Sequence, residues 1–199
     1  RLFSTVNPVH DGSTTSELLD IQRELRALTT ANDLLDNIQI FSMKNNILID
    51  SVTNALFIDR YYTSNFMINN MSFSYWYQHF LLESHNYDIY PGLEVKVGPQ
   101  IQKKILYAKS LPLTETREIS GGVYFFLDEE YLLNLFSIIP YQNSGFIYVL
   151  GKNGDPILYK NGSDMNNPIA DSKYFSDQSG YFHQKIDEKN MFITYFKDK

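Results

Sequence analysis

A β-hairpin pattern occurs twice in this chain, about a hundred residues apart. Residues 36–51 read DNIQIFSMKNNILIDS, and residues 145–162 read GFIYVLGKNGDPILYKNG. In each segment, two strand-like runs flank a turn containing Asn or Gly, residue types that accept positive φ. The repeat predicts two tandem copies of one architecture, each built on a hairpin, a crossover and further antiparallel strands.

A long amphipathic helix is predicted before the first hairpin. Apolar residues fall three and four positions apart from Leu18 to Leu35 if Asn32 is allowed within the stripe. Thr14 and Glu17, in TTSE, form a capping-box pattern at the start. The pattern fits a core-packing helix and also a stalk that continues toward a neighbouring segment.

Other segments of the first half show weaker patterns. MSFSYWYQHFLLES (71–84) reads as a helix with Ser72 as its N-cap. Residues 53–70 read as irregular, and YPG (90–92) reads as a loop. Strands are predicted at 93–97, 104–113 and 119–127, a helix capped by Asp128 at 129–139, and two more strands at 180–186 and 191–197.

These elements predict an α+β fold with antiparallel sheets. The predicted parts are a lead-in and long N-terminal helix (1–35), a larger module (36–140) and a smaller module (141–199).

Composition and motifs argue against several classes of function. The net charge of −6 and the absence of a basic cluster predict no direct nucleic-acid contact. The chain has no cysteine, and no HExxH, GxSxG or P-loop pattern occurs. We therefore expect no enzyme activity, no metal and no cofactor. The chain contains no apolar run long enough to span a membrane. It begins with Arg1 and not with Met, so it reads as an excised or processed piece of a longer protein.

Three stretches resemble the double Cache (dCache) sensor domain, and most closely that of membrane-bound AraC-type transcriptional regulators. They are LRALTTANDLLDNIQIFSMKNNILIDS (25–51), MSFSYWYQHFLL (71–82) and GGVYFFLDEEYLLNLF (121–136). Trp76 matches the tryptophan of the family's M-S-F-x-x-W helix.

The resemblance implies an extracytoplasmic segment of a bacterial cell-membrane protein. Its two modules would be PAS-like, the membrane-distal one (36–140) binding a small molecule and the proximal one (141–199) leading to the membrane. Flanking transmembrane helices and a cytoplasmic output domain are the implied partners, and a homodimer is compatible with the architecture. The same sensor type also serves histidine kinases, chemoreceptors and cyclic-dinucleotide enzymes.

One departure from the family concerns the amino-acid ligand. Amino-acid-binding dCache domains carry an Arg before a Trp–Tyr pair and an Asp on a late strand. Here Tyr75 precedes Trp76 and Tyr77, and Asp128 is better explained as a helix cap. An α-amino-acid ligand is therefore not implied by these residues.

The aromatic helix provides the candidate ligand site. We expect a pocket between this helix and the sheet, because buried Trp and Tyr need partners for their polar atoms. The alternatives are core packing for the aromatic residues, a surface or otherwise satisfied position for His79 in place of a pocket donor, and a solvated surface for the arginines. The candidates are Trp76, Tyr77 and Tyr75 on the helix, Tyr107, Lys109 and Tyr124 on the opposite wall, and the loop residues Arg60 and Arg117 for an anionic ligand.

The predicted function is an extracytoplasmic small-molecule sensor. Trp76→Ala should then lower ligand affinity and leave the fold cooperative. The alternative from another class is a secreted binding or adhesion module without a signalling role, which would lack membrane helices on both flanks.

Overall fold

The structure is a computed structural model that describes residues 12–52, 54–55, 58–97, 99–112, 119–137, 145–151, 156–161, 178–186 and 189–196. The chain divides into two units, residues 1–138 and 139–199. Most of the described secondary structure is antiparallel sheet, with few helices. The assignment of the units as PAS-like modules stays a prediction.

Unit 1 is built on a seven-stranded antiparallel sheet. The strand order is β3-β2-β1-β7-β6-β5-β4, so β1 and β7, far apart in sequence, pair at its centre. The elements are α1 (Gly12–Thr30), β1 (Leu35–Ser42), β2 (Ile47–Asp50), β3 (Asn54–Ala55), α2 (Ile58–Asn65), β4 (Phe66–Ile68), α3 (Phe73–Trp76), the π-helical segment π1 (Tyr77–Leu81), β5 (Asn86–Val97), β6 (Gln100–Leu111), β7 (Gly121–Asp128) and α4 (Glu129–Phe136).

The two faces of this sheet carry separate hydrophobic clusters. On the α1 face, Leu18 and Leu25 pack against sheet residues that include Ile38 and Ile49. On the crossover face, as we call the side covered by α2, α3 and π1, the cluster is larger and rich in aromatic rings. Its buried members are Phe41, Leu48, Ile58, Tyr61, Tyr62, Phe66, Ile68, Trp76, Phe80, Leu81, Leu93, Val95, Leu106, Ala108, Tyr124 and Phe126.

The first helix differs at both ends from its prediction. It begins at Gly12, before the predicted N-cap Thr14, whose side chain lies outside the described residues. It ends at Thr30, and Leu35 begins β1 instead of continuing the helix. The side-chain oxygen of Asn32 accepts a hydrogen bond from the backbone N–H of Leu34 at 3.1 Å, a local turn that competes with helix.

The first hairpin is confirmed. β1 and β2 pair antiparallel, with Ser42 opposite Ile47, and Asn46 in the turn has φ 47°. Asn tolerates this left-handed conformation better than other non-glycine residues do. The turn letters in the sequence were therefore sufficient to locate the hairpin.

Two segments predicted to be irregular are ordered elements. Residues 53–70 contain α2 and β4, so Arg60 lies on a helix and not in a loop. Residues 90–92 lie within the long strand β5, where a register shift between Tyr90 and Leu93 and the φ of 61° at Gly92 mark a bulge. A bulge lets the strand bend without ending, which the turn-like letters YPG do not reveal.

The helix predicted at 71–84 is shorter and not uniform. The hydroxyl of Ser72 accepts the backbone N–H of Tyr75 at 3.2 Å, which confirms the N-cap. After one turn of α-helix the chain adopts π geometry, in which the N–H of Leu82 donates to the carbonyl of Tyr77 at 3.1 Å. Asp128 caps α4 as predicted, but α4 ends at Phe136 and not at residue 139.

Unit 2 contains two described hairpins. β8 (Phe146–Leu150) pairs with β9 (Pro156–Asn161), and β10 (Ser179–Ile186) pairs with β11 (Lys189–Phe196). Both pairs are antiparallel and confirm the strands predicted there.

Candidate functional site

A row of polar side chains crosses the middle of the crossover face. The strand register places Asp50 beside Gln39, and Gln39 beside Tyr124. Beyond Tyr124 the row is interrupted by Ala108, and Asp88 on β5 lies beside Ala108. Gln39, Asp50 and Tyr124 are each buried to 98% or more, so a continuous polar strip lies under the helices within an aromatic cluster.

At one end of this row, three buried groups form a hydrogen-bonded cluster. The hydroxyl of Tyr61 on α2 donates to Oδ2 of Asp50, and Nε2 of Gln39 donates to the Tyr61 oxygen at 3.0 Å. Oδ1 of Asp50 accepts the backbone N–H of Val52 at 2.7 Å. Burial and the neighbouring Asp50 carboxylate raise the pKa of Tyr61 well above its usual value, so Tyr61 remains a donor at any physiological pH.

At the other end of the row, side chains satisfy the last turn of π1. The carbonyl of Phe80 accepts the hydroxyl of Tyr124 at 2.9 Å and lies 2.6 Å from Nε2 of His85. Because a carbonyl oxygen only accepts, Nε2 of His85 is the donor in this contact. Its Nδ1 lies 3.0 Å from Oδ2 of Asp88 and 3.3 Å from the Tyr90 hydroxyl.

The position of Tyr124 depends on a glycine. A Cβ at Gly122 would lie 2.6 Å from the Tyr124 hydroxyl oxygen, too close for any side chain. Gly122 therefore lets the Tyr124 ring lie along its own strand and reach π1. Burial is the largest cause that raises the pKa of Tyr124, so this hydroxyl also stays protonated.

Trp76, the central residue of the predicted site, lies in the aromatic core. It is 2% exposed, and its ring stacks on Tyr62 at a centroid distance of 4.5 Å, with Phe66 and Phe73 at about 6 Å. Tyr77, by contrast, is half-buried, and its hydroxyl donates to Oδ1 of Asn46 at 3.1 Å. Trp76 thus has the environment of a core residue, and its role in ligand binding stays a prediction.

Two of the three strand candidates, Tyr107 and Lys109, lie on the opposite face of the sheet from Trp76. Tyr107 pairs with Phe125 and Lys109 with Val123, which places both on the α1 face. Tyr124 pairs with Ala108 and lies on the crossover face. The expectation that Tyr107, Lys109 and Tyr124 form one wall is therefore wrong, because neighbouring residues of a strand point to opposite faces.

The remaining candidates lie elsewhere in unit 1. Tyr75 is half exposed, and its ring contacts His79 at a centroid distance of 4.3 Å. Nδ1 of His79 lies 2.9 Å from a carboxylate oxygen of Glu83, at the surface. Arg60 is exposed on α2, and Arg117 lies outside the described residues.

Sequence reasoning missed Gln39, Asp50, Tyr61 and His85. A signal for the first two was present, because both lie at inward positions of otherwise apolar strands, in QIF and LID. Tyr61 had no comparable signal because it lies in a segment read as irregular. His85 had none because it follows the end of a helix.

The described residues contain neither a metal-binding cluster nor a membrane-spanning helix. No group of three or more His, Asp or Glu in the described ranges is placed to hold a metal ion. Among the helices that the structure describes, none has the length and apolar character needed to cross a membrane.

No protein-family model matches the chain, and no curated protein matches it. Among solved structures, the extracellular domain of the histidine kinase rpHK1S-Z16 matches with 16% identity and a TM-score of 0.49, over 87% of this chain and 70% of that one. The sensory domain of the Campylobacter jejuni chemoreceptor Tlp3 with isoleucine bound matches with 14% identity and a TM-score of 0.48, over 92% and 69%. The ligand-binding domain of the same receptor in complex with L-valine gives the same values. At TM-scores below 0.5 these similarities assign no function to this chain.

Proposed function

We propose that this chain is an extracytoplasmic sensor domain that binds a small molecule on the crossover face of unit 1. The observation that carries the proposal is the buried polar row of Asp50, Gln39 and Tyr124 beneath α2 and π1. A sheet face that served only as a core would favour apolar side chains there, because each buried polar group must find a hydrogen-bond partner. A small-molecule site combines an apolar lining with a few placed polar groups, and this face has both.

The helical segment π1, which covers part of the crossover face, is suited to a conformational response to a ligand. π1 departs from regular α-helix, and such segments are frequent at functional sites. It is held to the sheet by the Tyr124 hydroxyl and by His85, and to the β1–β2 turn by the Tyr77 hydroxyl. A ligand that binds one arrangement of π1 more tightly than another shifts the population between them, which is the requirement for a signal.

The parent protein is proposed from the dCache resemblance alone. It is a bacterial transmembrane signalling protein with a cytoplasmic output domain. An AraC-type regulator is one candidate output, beside a histidine kinase, a chemoreceptor and a cyclic-dinucleotide enzyme. The proposal assigns no reaction to the chain. The gene sequence on both sides of the segment distinguishes this transmembrane protein from a secreted module, because a secreted module has no flanking membrane helices.

A thermal-shift screen against sugars, organic acids and amino acids tests ligand binding. A compound that raises the unfolding temperature is then measured by calorimetry with Gln39→Leu and with Tyr107→Phe, which alters the α1 face. We expect Gln39→Leu to weaken binding at least tenfold and Tyr107→Phe to leave it unchanged. Loss of binding only with Tyr107→Phe would contradict the crossover face as the site, and no shift from any compound would contradict a sensor for these three ligand classes.

A further inference from the structure

A chain of hydrogen bonds passes from the crossover face to α1 through the end of β2. On the crossover face, the Tyr61 hydroxyl donates to Asp50, and the Asp50 carboxylate accepts the N–H of Val52 at 2.7 Å. On the side of α1, Nε of Arg26 donates to the carbonyl of Ser51 at 3.1 Å, and Nη2 donates to the carbonyl of Val52 at 3.2 Å.

The two halves of this chain meet in one peptide group. The carbonyl of Ser51 and the N–H of Val52 belong to the same peptide unit, so an anion holds its N–H end and a cation holds its oxygen end. Hydrogen bonds arranged in series polarise one another, and each therefore strengthens the next. Bonds to charged groups are also stronger than neutral ones.

Hydrogen bonds between Ser51 and Asn37 limit the orientations that this peptide group can adopt. The Ser51 hydroxyl donates to Oδ1 of Asn37 at 2.7 Å, and its backbone N–H lies 3.3 Å from the same oxygen. Ser51 is 2% exposed, whereas Val52, the other half of the peptide unit, is 68% exposed. The bonds on the Ser51 side therefore favour one orientation of the peptide unit, and losing either charged partner leaves a part-buried polar group less satisfied.

We propose that the Ser51–Val52 peptide group transmits a change at Tyr61 to the helix α1. A displacement of α2 that removes the Tyr61 hydroxyl from Asp50 weakens the hold of the carboxylate on Val52, and thereby the attachment of Arg26. The inference rests on the proposed function only in treating the α2 side as the side of the ligand. Coupling of this kind is reciprocal, so loosening Arg26 must also loosen α2.

Hydrogen exchange of the ligand-free chain, followed by NMR, tests the coupling. Tyr61→Phe removes the hydroxyl and keeps the ring. We expect the exchange of the Val52 amide to rise roughly tenfold and that of the α1 amides near Arg26 to rise severalfold, after correction for any change in global stability. Arg26→Gln should raise exchange in α2 in the same way.

The chain supplies matched controls for both variants. Tyr62→Phe removes a hydroxyl from the next residue of α2, but that hydroxyl donates to the carbonyl of Met71 at 3.0 Å. Arg23→Gln removes a guanidinium from α1 that pairs with Asp20 at the surface. Tyr62→Phe should raise exchange locally at Ile68, whose N–H donates to the Tyr62 hydroxyl at 3.3 Å. Neither control should change exchange at Val52.

Two results would overturn the proposal. One is unchanged exchange in α1 with Tyr61→Phe, and the other is an equal effect of Tyr62→Phe. If Tyr61→Phe does not fold, Asp50→Asn gives the same decision, since its amide oxygen still accepts from Val52 but carries no charge. Because no ligand is present, failure here leaves the thermal-shift test of the sensor function untouched.

Discussion

The hydroxyl of Tyr124 lies 2.9 Å from the carbonyl oxygen of Phe80, and this bond joins the central strand β7 to the last turn of π1. Carbonyls at a helix C-terminus have no partner within the helix, and Phe80 finds two in side chains, Tyr124 and His85. Side chains therefore help to fix the C-terminal end of π1, in addition to the backbone bond from Leu82 to Tyr77.

Tyr124→Phe should loosen π1 without changing the rest of the fold. The variant keeps the buried ring and removes one hydrogen bond, so we expect a loss of about 1 kcal/mol in the free energy of unfolding. Amide exchange at residues 80–84 should rise more than at β1 or β2. Tyr107→Phe, on the opposite face of the neighbouring strand, is the control, and a similar effect from it would contradict the assignment.

Trp76→Ala should destabilise the chain by about 3–5 kcal/mol, because it removes a fully buried ring that stacks on Tyr62. Tyr75→Ala, at the half-exposed neighbouring position, should change stability by less than about 1 kcal/mol. Urea denaturation measures both. The same denaturation curves test the sequence-based expectation that Trp76→Ala leaves the fold cooperative. If Trp76→Ala lowers the free energy of unfolding no more than Tyr75→Ala does, the indole does not support the core.

The features predicted correctly from the sequence are local ones. The N-caps Ser72 and Asp128 and the turn at Asn46 depend on residues within a few positions of each other. The grouping of Tyr107 with Tyr124 failed because it depends on how two strands are aligned. Ala108, and not Tyr107, lies opposite Tyr124, and nothing near either residue in sequence fixes that register.

The candidate site was located only in part for a similar reason. The sequence SFSYWYQHF identifies the segment that covers the crossover face, and Tyr124 is one of the candidate residues predicted for the site. Asp50 and Tyr61 act through a contact between β2 and α2, and α2 is too short to give a clear periodic pattern. Long-range polar contacts of this kind leave little trace in one sequence.

Lys104→Met should destabilise unit 1 by about 2 kcal/mol. The Lys104 side chain is 2% exposed, and its Nζ lies 3.0 Å from Asp128 and 3.2 Å from Asp36. Its removal leaves two carboxylates without their shared cation, although both reach water and this limits the loss. Lys103→Met, at the exposed neighbouring position, should change the free energy of unfolding by less than about 0.5 kcal/mol, and equal losses would argue against the ion pairs.

Asp128→Asn should reduce the dependence of stability on pH in the acid range. Burial of Asp128 raises its pKa, but the N–H of Tyr131 and the ammonium of Lys104 outweigh this and hold the pKa below its usual 3.8. A carboxyl group whose pKa is lowered by folding stabilises the protein above pH about 4, and this stabilisation is lost as the pH falls through the folded-state value. Asn still caps α4 but does not titrate, so urea midpoints between pH 6 and pH 2 should fall less for the variant. Glu130→Gln is the control, and an unchanged pH profile for Asp128→Asn would refute the assignment.

Tyr87→Gly should be more stable than Tyr87→Ala by about 1 kcal/mol, the reverse of the usual order in a strand. Tyr87 has φ 64° and is the extra residue of a bulge between Asn86 and Asp88. Its ring lies under the ammonium of Lys109, with Nζ 3.8 Å from the ring centre, and both substitutions lose this contact equally. Only glycine also removes the cost of the left-handed backbone. Ile89, with an ordinary φ on the same face of β5, provides the control, and there Ala should be more stable than Gly. The same order at both positions in urea denaturation would show that Tyr87 is not strained.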